Sequence, residues 1–338
     1  MAATVRSRIT GVGGYVPPRV VTNDDLSQLM DTSDEWIIER TGIRQRHWVE
    51  PEVATSDLAL EAAAAALQTA GVDKGSIEML IVATLSSDHF FPGTACFLQR
   101  KMGISEIPAL DIRQQCTGFI YATSIADQFI RTGMYGKVLV IGAEIHSKGL
   151  DVTTDGRDVS VLFGDGAGAV VMEATETDGS ADAQIFSTHL HADGSGAEYL
   201  WLPSPGMAFE DGLVTEAHLE RGDQYPKMNG RAVYVNAVKR MTEGVVDALA
   251  ANDVTLEDVD LFFFHQANLR INEAVAQRLG IPPEKVYNTI QKYGNTTAAT
   301  IPLGMRDAVE DGTLQPGMLV ACGAFGSGFT WGSMLLRW

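Results

Sequence analysis

The hydrophobic pattern of the chain alternates between strand-like and helix-like segments. Apolar residues at 5–12 predict a strand, and the continuous apolar runs 79–84 and 137–144 predict strands buried on both faces, as in parallel sheets. Between them, the alanine-rich stretch 56–70 has helical spacing and stops at Gly71. This order of elements indicates an α/β protein.

A cysteine stands between a predicted strand and a predicted helix. The β-prone run 107–112 precedes Cys116, and apolar residues recur at helical spacing over 119–130. The free N–H groups and positive dipole end of such a helix favour thiolate over thiol, which predicts a reactive cysteine. The alternative is a buried structural cysteine, since most free cysteines are structural.

Glycines are dense at 163–168 in a loose Gly-x-Gly pattern. A phosphate-binding loop would be followed by a helix, whereas here the following residues, 169–171, have a strand pattern. We therefore interpret these glycines as places where the backbone passes close to other backbone.

The second half of the chain repeats the hydrophobic pattern of the first. A shift of 182 places Leu80 and Ile81 over Phe262 and Phe263, and a shift of 180 places 138–140 over 318–320. Two βα halves of like pattern predict a duplicated fold with buried sheets and helices outside. The polar, turn-prone stretch 173–180 predicts the join, which divides the chain into halves 1–176 and 177–338.

Polar side chains recur at equivalent positions of the two halves. With the shift of 180, Cys116 falls on Thr296, next to Asn295. His265 directly follows the strand equivalent to 80–82, and ligands of open α/β sheets gather at the carboxyl ends of strands. The other histidines, His146 among them, have no such placement, so the sequence predicts a site made of a thiol, an imidazole and a carboxamide.

Composition limits the class of protein. The 338 residues carry a net charge of −18, which disfavours nucleic acid and anionic lipid as partners. No apolar stretch approaches the roughly 18 residues of a membrane helix, and the N-terminus has no apolar export signal. Three cysteines without metal-ligand spacing argue against a disulfide framework and against a metal site. We therefore expect a cytoplasmic protein that contacts neither membrane nor nucleic acid.

Several motifs in the same order resemble the thiolase superfamily, and specifically the β-ketoacyl-acyl carrier protein synthase III family, over nearly the whole chain. The matching stretches are 34–36, 40–44, 116–119, 163–168, 265–270, 294–296 and 325–333. The resemblance implies a thiolase-like fold of two halves in five layers (αβαβα), a homodimer, and an active site reached through a pantetheine tunnel.

The resemblance also implies a reaction. Acyl-CoA acylates Cys116, and malonyl-acyl carrier protein then loses carbon dioxide and condenses with the acyl group, which initiates synthesis of fatty acids or related polyketides. The backbone N–H groups of Cys116 and Ser327 would bind the oxyanion, with Ser327 replacing the usual glycine. His265 and Asn295 would hydrogen-bond the enolate oxygen. The coenzyme A thioester is a substrate, and no metal or permanently bound cofactor is expected.

The remaining functional residues are carried over from the family's motifs. Three of them match positions at the nucleotide end of coenzyme A and one matches a pantetheine contact: Trp36, Arg40, Arg157 and Asn268. Arg270 matches a residue of the carrier-protein docking face. Phe91 matches an aromatic residue that enters the acyl pocket of the partner subunit.

Several other classes of protein with this fold remain as alternatives to a synthase III. A degradative thiolase would exchange the histidine and asparagine and carry a second catalytic cysteine, whereas Cys322 reads as a buried strand residue. Type III polyketide synthases share the three site residues. An acyltransferase to oxygen or nitrogen, a specialised-metabolite ketosynthase and a noncatalytic partner subunit are further alternatives.

Three features depart from the family pattern. Gln114 and Gln115 replace small residues before the cysteine, Val235 stands where a docking lysine is common, and the segment 204–227 is longer than usual. They leave the acyl chain, the carrier and the type of pathway undetermined.

Overall fold

The structure, a computed structural model, describes residues 4–177, 179, 181–208 and 212–338. Its strands are Thr4–Tyr15 (β1), Val20–Thr22 (β2), Gln45–His47 (β3), Met79–Ala83 (β4), Ala109–Ile112 (β5), Lys137–Glu144 (β6), Gly166–Thr177 (β7), Gln184–Ala192 (β8), Leu200–Trp201 (β9), Lys227–Met228 (β10), Leu261–Phe264 (β11), Leu319–Gly326 (β12) and Thr330–Arg337 (β13).

The helices alternate with these strands along the chain. They are Asn23–Ser27 (α1), Asp34–Thr41 (α2), Thr55–Ala70 (α3), Thr94–Met102 (α4), Gly118–Arg131 (α5), Arg157–Ser160 (α6), Glu216–Glu220 (α7), Gly230–Ala250 (α8), Leu269–Leu279 (α9), Ile290–Tyr293 (α10) and Thr300–Glu310 (α11).

The fold is built on two large sheets. The first has the order β1-β7-β6-β4-β5, and the second has the order β11-β12-β13-β8. Strand β4 pairs in parallel with β5 and β6, and β11 pairs in parallel with β12. All five residues of β4 are buried, as its continuous apolar pattern predicts.

Alternating side chains of β4 face two different layers of helices. Leu80 and Val82 pack in a core with α3 and α4, whereas Ile81 and Ala83 pack in a second core with α5 and α11. Because successive side chains of a strand point to opposite faces, one sheet can hold both cores.

The second sheet repeats this arrangement. Phe263 and Cys322 face the same α5 and α11 core, and Phe262 and Phe264 face α8 and α9. The layers are therefore helices, sheet, helices, sheet and helices. This confirms the expected duplicated α/β fold of the thiolase type and the interpretation of Cys322 as a buried strand residue.

The structure corrects the register of the repeat. Leu80 pairs with Leu139 in β4 and β6, and Phe262 pairs with Ala321 in β11 and β12, so the shift of 182 holds for both strands. Because a two-residue slip leaves every side chain on the same face, the hydrophobic pattern could not distinguish 180 from 182. The shift of 182 also superposes the start of α5 on the start of α11. The predicted match of Cys116 to Thr296 is wrong, and its equivalent is Ala298.

The glycine-rich strand β7 packs against the start of α11. A Cβ atom on Gly168 would lie 2.7 Å from Pro302 Cγ and 2.9 Å from the backbone nitrogen of Leu303. This confirms that the glycine serves close approach of the backbone. The strand ends at Thr177 and β8 begins at Gln184, with residues 178 and 180 outside the described part. The boundary between residues 176 and 177 remains a proposal.

The helix boundaries match their sequence signals. Helix α2 begins after Ser33, whose side chain accepts a hydrogen bond from the Trp36 backbone N–H, and it ends at Gly42 in the left-handed region with φ 77°. Helix α3 ends at Gly71 with φ 65°. Among the described residues, no helix combines the length and the apolar character that crossing a bilayer requires.

Candidate active site

Cys116 lies in a tight turn that leads into α5. The turn Gln115–Thr117 is a short 3-10 helix, and Gln115 has a left-handed φ of 43°. The Thr117 hydroxyl lies 2.8 Å from the Thr330 hydroxyl, which connects the turn to β13 in the second half. The side chain of Cys116 is buried, with a residue exposure of 8%. The cysteine therefore sits at the start of a helix, as predicted, and next to β13 of the second half.

The carboxyl end of β12 packs directly on the cysteine. A Cβ atom on Gly326 would lie 2.7 Å from Cys116 Cβ and 3.1 Å from its backbone nitrogen. The backbone N–H groups of Cys116 and Ser327 both donate hydrogen bonds that lower the pKa of the thiol. The two N–H groups expected at an oxyanion site are thus brought together beside the sulfur. The Ser327 hydroxyl donates a hydrogen bond to the Leu200 carbonyl.

The net effect of the surroundings on the thiol is opposite to the sequence prediction. Burial, followed by the negative charge of Glu144, raises the pKa of Cys116 to about 12. The donation from backbone N–H groups is too weak to offset the loss of water around the buried sulfur. The surroundings of the sulfur therefore favour a thiol over the predicted thiolate.

Glu144 is a buried carboxyl that the sequence reasoning missed. It ends β6, and it accepts hydrogen bonds from the Ser86 hydroxyl at 2.7 Å and from the backbone N–H of Leu85 at 3.2 Å. Burial raises the pKa of Glu144 to about 8, so the group is mostly neutral at pH 7. Desolvation is therefore the main reason why Cys116 stays a thiol.

His265 follows β11 directly and is 1% exposed. Its backbone N–H donates to the Gly323 carbonyl at 2.9 Å, and Nδ1 lies 2.8 Å from Thr300 Oγ1. Among the described residues, Nε2 has no hydrogen-bond partner. Burial, with a smaller contribution from His146, lowers the pKa of His265 to about 3. The ring is therefore a neutral imidazole with one free nitrogen.

The neighbouring Gln266 fixes the loop that carries the histidine. Its Oε1 accepts from the backbone N–H groups of Thr289 and Ile290 at 3.0 and 3.1 Å. Its Nε2 donates to the Phe264 carbonyl at 2.8 Å. The carboxamide thereby joins the end of β11 to the start of α10.

Asn295 lies in a loop that pairs with the glycine-rich segment. Its backbone N–H donates to the Leu162 carbonyl at 2.8 Å, and its carbonyl accepts from Gly164 N–H at 3.1 Å. The side-chain Oδ1 accepts from the backbone N–H of Thr297 at 2.8 Å. This bond assigns the oxygen end of the carboxamide, so the NH₂ end is the one left to meet a substrate.

Thr297 joins these groups into one network, and no sequence signal identified it. It has a left-handed φ of 51° and is the structural equivalent of Gln115 under the shift of 182. Its hydroxyl lies 2.6 Å from His146 Nε2, and its carbonyl accepts from Thr300 Oγ1 at 3.0 Å. Strained backbone of this kind persists where the surroundings hold it in place.

His146 belongs to the site, although the sequence reasoning set it aside. Its ring packs 4.4 Å from that of Phe163, and burial lowers the pKa of His146 to about 3. It lies two residues beyond the end of β6, and its contact with Thr297 places it next to the loop that carries Asn295.

The residues expected at the nucleotide end of coenzyme A also lie together, on the surface. The guanidinium carbons of Arg40 and Arg157 lie 4.5 and 5.2 Å from the ring centroid of Trp36. Asn268 caps α9, and its Nδ2 donates to the Arg40 carbonyl at 3.0 Å. Cationic groups over an aromatic face suit a planar base with phosphates.

Part of the long segment lies against the element that carries Arg157. A cavity of about 460 Å³ is lined by Gly156 and Asp158 on one side and by residues 220–222 and 225–228 on the other. Residues 209–211 of the segment 204–227 lie outside the described part.

The other expected site residues lie on the surface. Arg270 is exposed near the start of α9, and Phe91 is 81% exposed in the single chain. Val235 on α8 is 55% exposed. Gln114 contributes a side-chain hydrogen bond to the Tyr121 hydroxyl. Among the described residues, no group of three His, Cys, Asp or Glu side chains is arranged to hold a metal ion.

The duplicated five-layer fold, with a cysteine at one helix start and a histidine and an asparagine at the matching edge of the other half, defines an acyl-transferring condensing enzyme. The family model described as 3-oxoacyl-[acyl-carrier-protein] synthase III matches residues 110–194, and the model of its C-terminal part matches residues 249–338. The chain therefore belongs to the β-ketoacyl-acyl carrier protein synthase III family, whose members are condensing enzymes of fatty acid synthesis.

Similar proteins support this assignment over the full length. The β-ketoacyl-[acyl-carrier-protein] synthase III of Xanthomonas campestris is 46% identical, with 100% of both chains covered. The crystal structure of the 3-oxoacyl-[acyl-carrier-protein] synthase III of Aquifex aeolicus is 41% identical with a TM-score of 0.87, covering 98% of this chain and 100% of that one. The priming β-ketosynthase of the R1128 polyketide pathway is 30% identical with a TM-score of 0.88, covering 100% and 98%.

Proposed function

We propose that this enzyme begins fatty acid synthesis by moving an acyl group from acyl-CoA to Cys116 and condensing it with malonyl-acyl carrier protein. The observation that carries the proposal is that the backbone N–H groups of Cys116 and Ser327 both donate to the Cys116 sulfur. The hydrogen bonds that hold Asn295 and His265, from Thr297 and Thr300, lie in the same helix layer. Acyl-CoA enters as a substrate, and the catalytic groups are those of the chain itself.

In the first step, Cys116 acts as the nucleophile. Its S–H proton passes to Nε2 of His265 while the sulfur attacks the thioester carbonyl. The N–H groups of Cys116 and Ser327 stabilise the oxyanion, and coenzyme A leaves as a thiolate that takes a proton from water. The acyl group remains on Cys116, and His265 carries the proton.

In the second step, the malonyl thioester loses carbon dioxide. The electron pair of the broken C–C bond forms an enolate, whose oxygen accepts hydrogen bonds from Nε2 of His265 and Nδ2 of Asn295. The enolate carbon attacks the acyl carbonyl and expels the Cys116 sulfur, which regains its proton from His265. The isolated site disfavours a buried imidazolium, so the negative charges of the departing thiolate, the malonyl carboxylate and the enolate must offset its cost through the two steps.

The surface groups are proposed to bind the carriers. Trp36, Arg40 and Arg157 hold the nucleotide end of coenzyme A, and Asn268 contacts the pantetheine. Arg270 belongs to the docking face for the acyl carrier protein. Because the net charge is −18, an acidic carrier would be repelled overall, so attraction must come from such a local basic patch.

We also propose a homodimer that works in the cytoplasm. Strand β5 is an edge of the first sheet, and the nearby Phe90 and Phe91 are 51% and 81% exposed. An open edge beside exposed aromatic side chains favours association with a second copy. In the dimer Phe91 would enter the acyl pocket of the partner subunit and limit the length of the acyl group.

A ketosynthase of specialised metabolism with another acyl substrate is the second candidate. The similarity to a priming β-ketosynthase favours it, as does Gln114, whose bond to Tyr121 places an unusual polar group before the cysteine. A panel of acyl-CoA thioesters, scored by the mass added to Cys116, separates the two candidates.

The division of labour is tested with Cys116→Ala and Asn295→Ala. The first variant should form no acyl adduct, and the second should form the adduct but release no carbon dioxide from malonyl-acyl carrier protein. An Asn295→Ala enzyme that fails to acylate, while remaining folded by circular dichroism, would contradict the proposed roles.

A further inference from the structure

Thr300 has one hydroxyl between two possible partners. It is the first residue of α11 and is 2% exposed. Its Oγ1 lies 2.8 Å from Nδ1 of His265 and 3.0 Å from the carbonyl oxygen of Thr297. Both distances are within the range of hydrogen bonds.

The chemistry of the three atoms determines where the protons lie. A carbonyl oxygen only accepts, so the single hydroxyl proton of Thr300 points to Thr297. The imidazole nitrogen Nδ1 must then carry a proton and donate it to Thr300 Oγ1. A neutral imidazole has one N–H, and therefore Nε2 of His265 presents a lone pair.

The opposite arrangement is less favourable. If the hydroxyl donated to Nδ1, the Thr297 carbonyl would lose this bond and the proton of the ring would sit on Nε2. Among the described residues, no acceptor lies within hydrogen-bond distance of Nε2. A buried donor without an acceptor is destabilised relative to a satisfied one, because it has lost its hydrogen bond to water and gained none in return.

We propose that Thr300 is a positioning residue that holds His265 in the Nδ1–H tautomer and so makes Nε2 the base that receives the Cys116 proton. The inference rests on the proposed function of His265 in acylation. The proposal gives a role to a residue other than Cys116, His265 and Asn295. Thr300 acts through His265 rather than on the substrate.

The test compares Thr300→Val with Thr300→Ser. Valine has a similar shape but no hydroxyl, whereas serine restores the hydroxyl. Thr123→Val is the matched control, because Thr123 is a buried threonine whose hydroxyl has no partner among the described residues. The tautomer of His265 is read from ¹⁵N chemical shifts of the ring, and Cys116 acylation is timed by rapid quench and mass spectrometry.

We expect the wild-type enzyme and Thr300→Ser to show a protonated Nδ1 and an unprotonated Nε2. Thr300→Val should shift the ring toward the Nε2–H form and slow acylation roughly 10- to 100-fold. This loss is smaller than the full rate contribution of a general base, because part of the histidine would keep the reactive tautomer. Thr123→Val should leave both readouts unchanged. Wild-type enzyme with a protonated Nε2, or Thr300→Val with unchanged ¹⁵N shifts and acylation rate, would overturn the inference.

The two proposals fail in different ways. If wild-type Cys116 is not acylated at all, the proposed function fails whatever the tautomer. If Cys116 is acylated but the ring is in the Nε2–H form, only the role of Thr300 fails. Because the wild-type spectrum alone gives this answer, the inference stays testable even if Thr300→Val does not fold.

Discussion

Gly326→Ala is the substitution that most directly tests the geometry around the Cys116 sulfur. The added Cβ would lie 2.7 Å from Cys116 Cβ, whereas carbon atoms in contact prefer about 3.5–4.0 Å. The end of β12 or the cysteine must therefore move by about 1 Å. A displacement of that size near reacting atoms costs about 100-fold in rate, comparable to losing one oxyanion donor.

The assay is single-turnover acylation of Cys116 by acyl-CoA, followed by rapid quench and intact mass. We expect Gly326→Ala to be slower by about 100-fold, or about 2.7 kcal/mol in activation free energy, and to lose about 1–3 kcal/mol of unfolding free energy through overpacking. Gly149→Ala is the control, because a Cβ there would meet nothing within 4 Å. Acylation of Gly326→Ala within threefold of the wild-type rate would refute the proposed position of the Ser327 donor.

Three further predictions concern pH, substrate binding and the oxyanion turn. Because burial lowers the pKa of His146 to about 3, folding is unaffected by this group above about pH 6.5 and is penalised as pH falls below it. The free energy of unfolding, measured by urea titration between pH 6 and 4, should therefore fall less steeply with falling pH in His146→Gln, by about 1.4 kcal/mol per pH unit. An unchanged slope would count against a buried neutral ring. Trp36→Ala should raise KM for acyl-CoA about tenfold without changing kcat, and it should leave KM for an acyl-pantetheine lacking the nucleotide unchanged; equal losses with both substrates would contradict the proposed nucleotide site. Ser327→Gly removes the hydrogen bond to Leu200 but keeps the backbone N–H, so acylation should stay within about threefold of wild type, and a loss near 100-fold would show that the side chain matters.

Much of the fold could be predicted because its signals are local. Continuous apolar runs identified β4 and β6, and Gly42 and Gly71 marked helix ends. The register of the repeat could not be predicted to within two residues, since a slip of two keeps each side chain on its face. That slip also concealed the equivalence of Gln115 and Thr297.

Sequence patterns indicated the residue types of the candidate site but not its electrostatics. The positions of Cys116 and His265 follow from strand ends and helix starts, which a sequence pattern reveals. The raised pKa of Cys116 depends on burial and on Glu144, and the tautomer of His265 depends on Thr300. These groups are distant in sequence, so only the folded chain brings their effects together.

The central claim is that condensation proceeds through an acyl group on Cys116. The most direct measurement mixes the enzyme with labelled acyl-CoA, isolates the protein, and then adds malonyl-acyl carrier protein while carbon dioxide and the mass of Cys116 peptides are followed. We expect one acyl group per active site on Cys116, which disappears as an equal amount of carbon dioxide and β-ketoacyl carrier protein forms. Product formation without an adduct on Cys116, or an adduct that malonyl-acyl carrier protein does not discharge, would contradict the account.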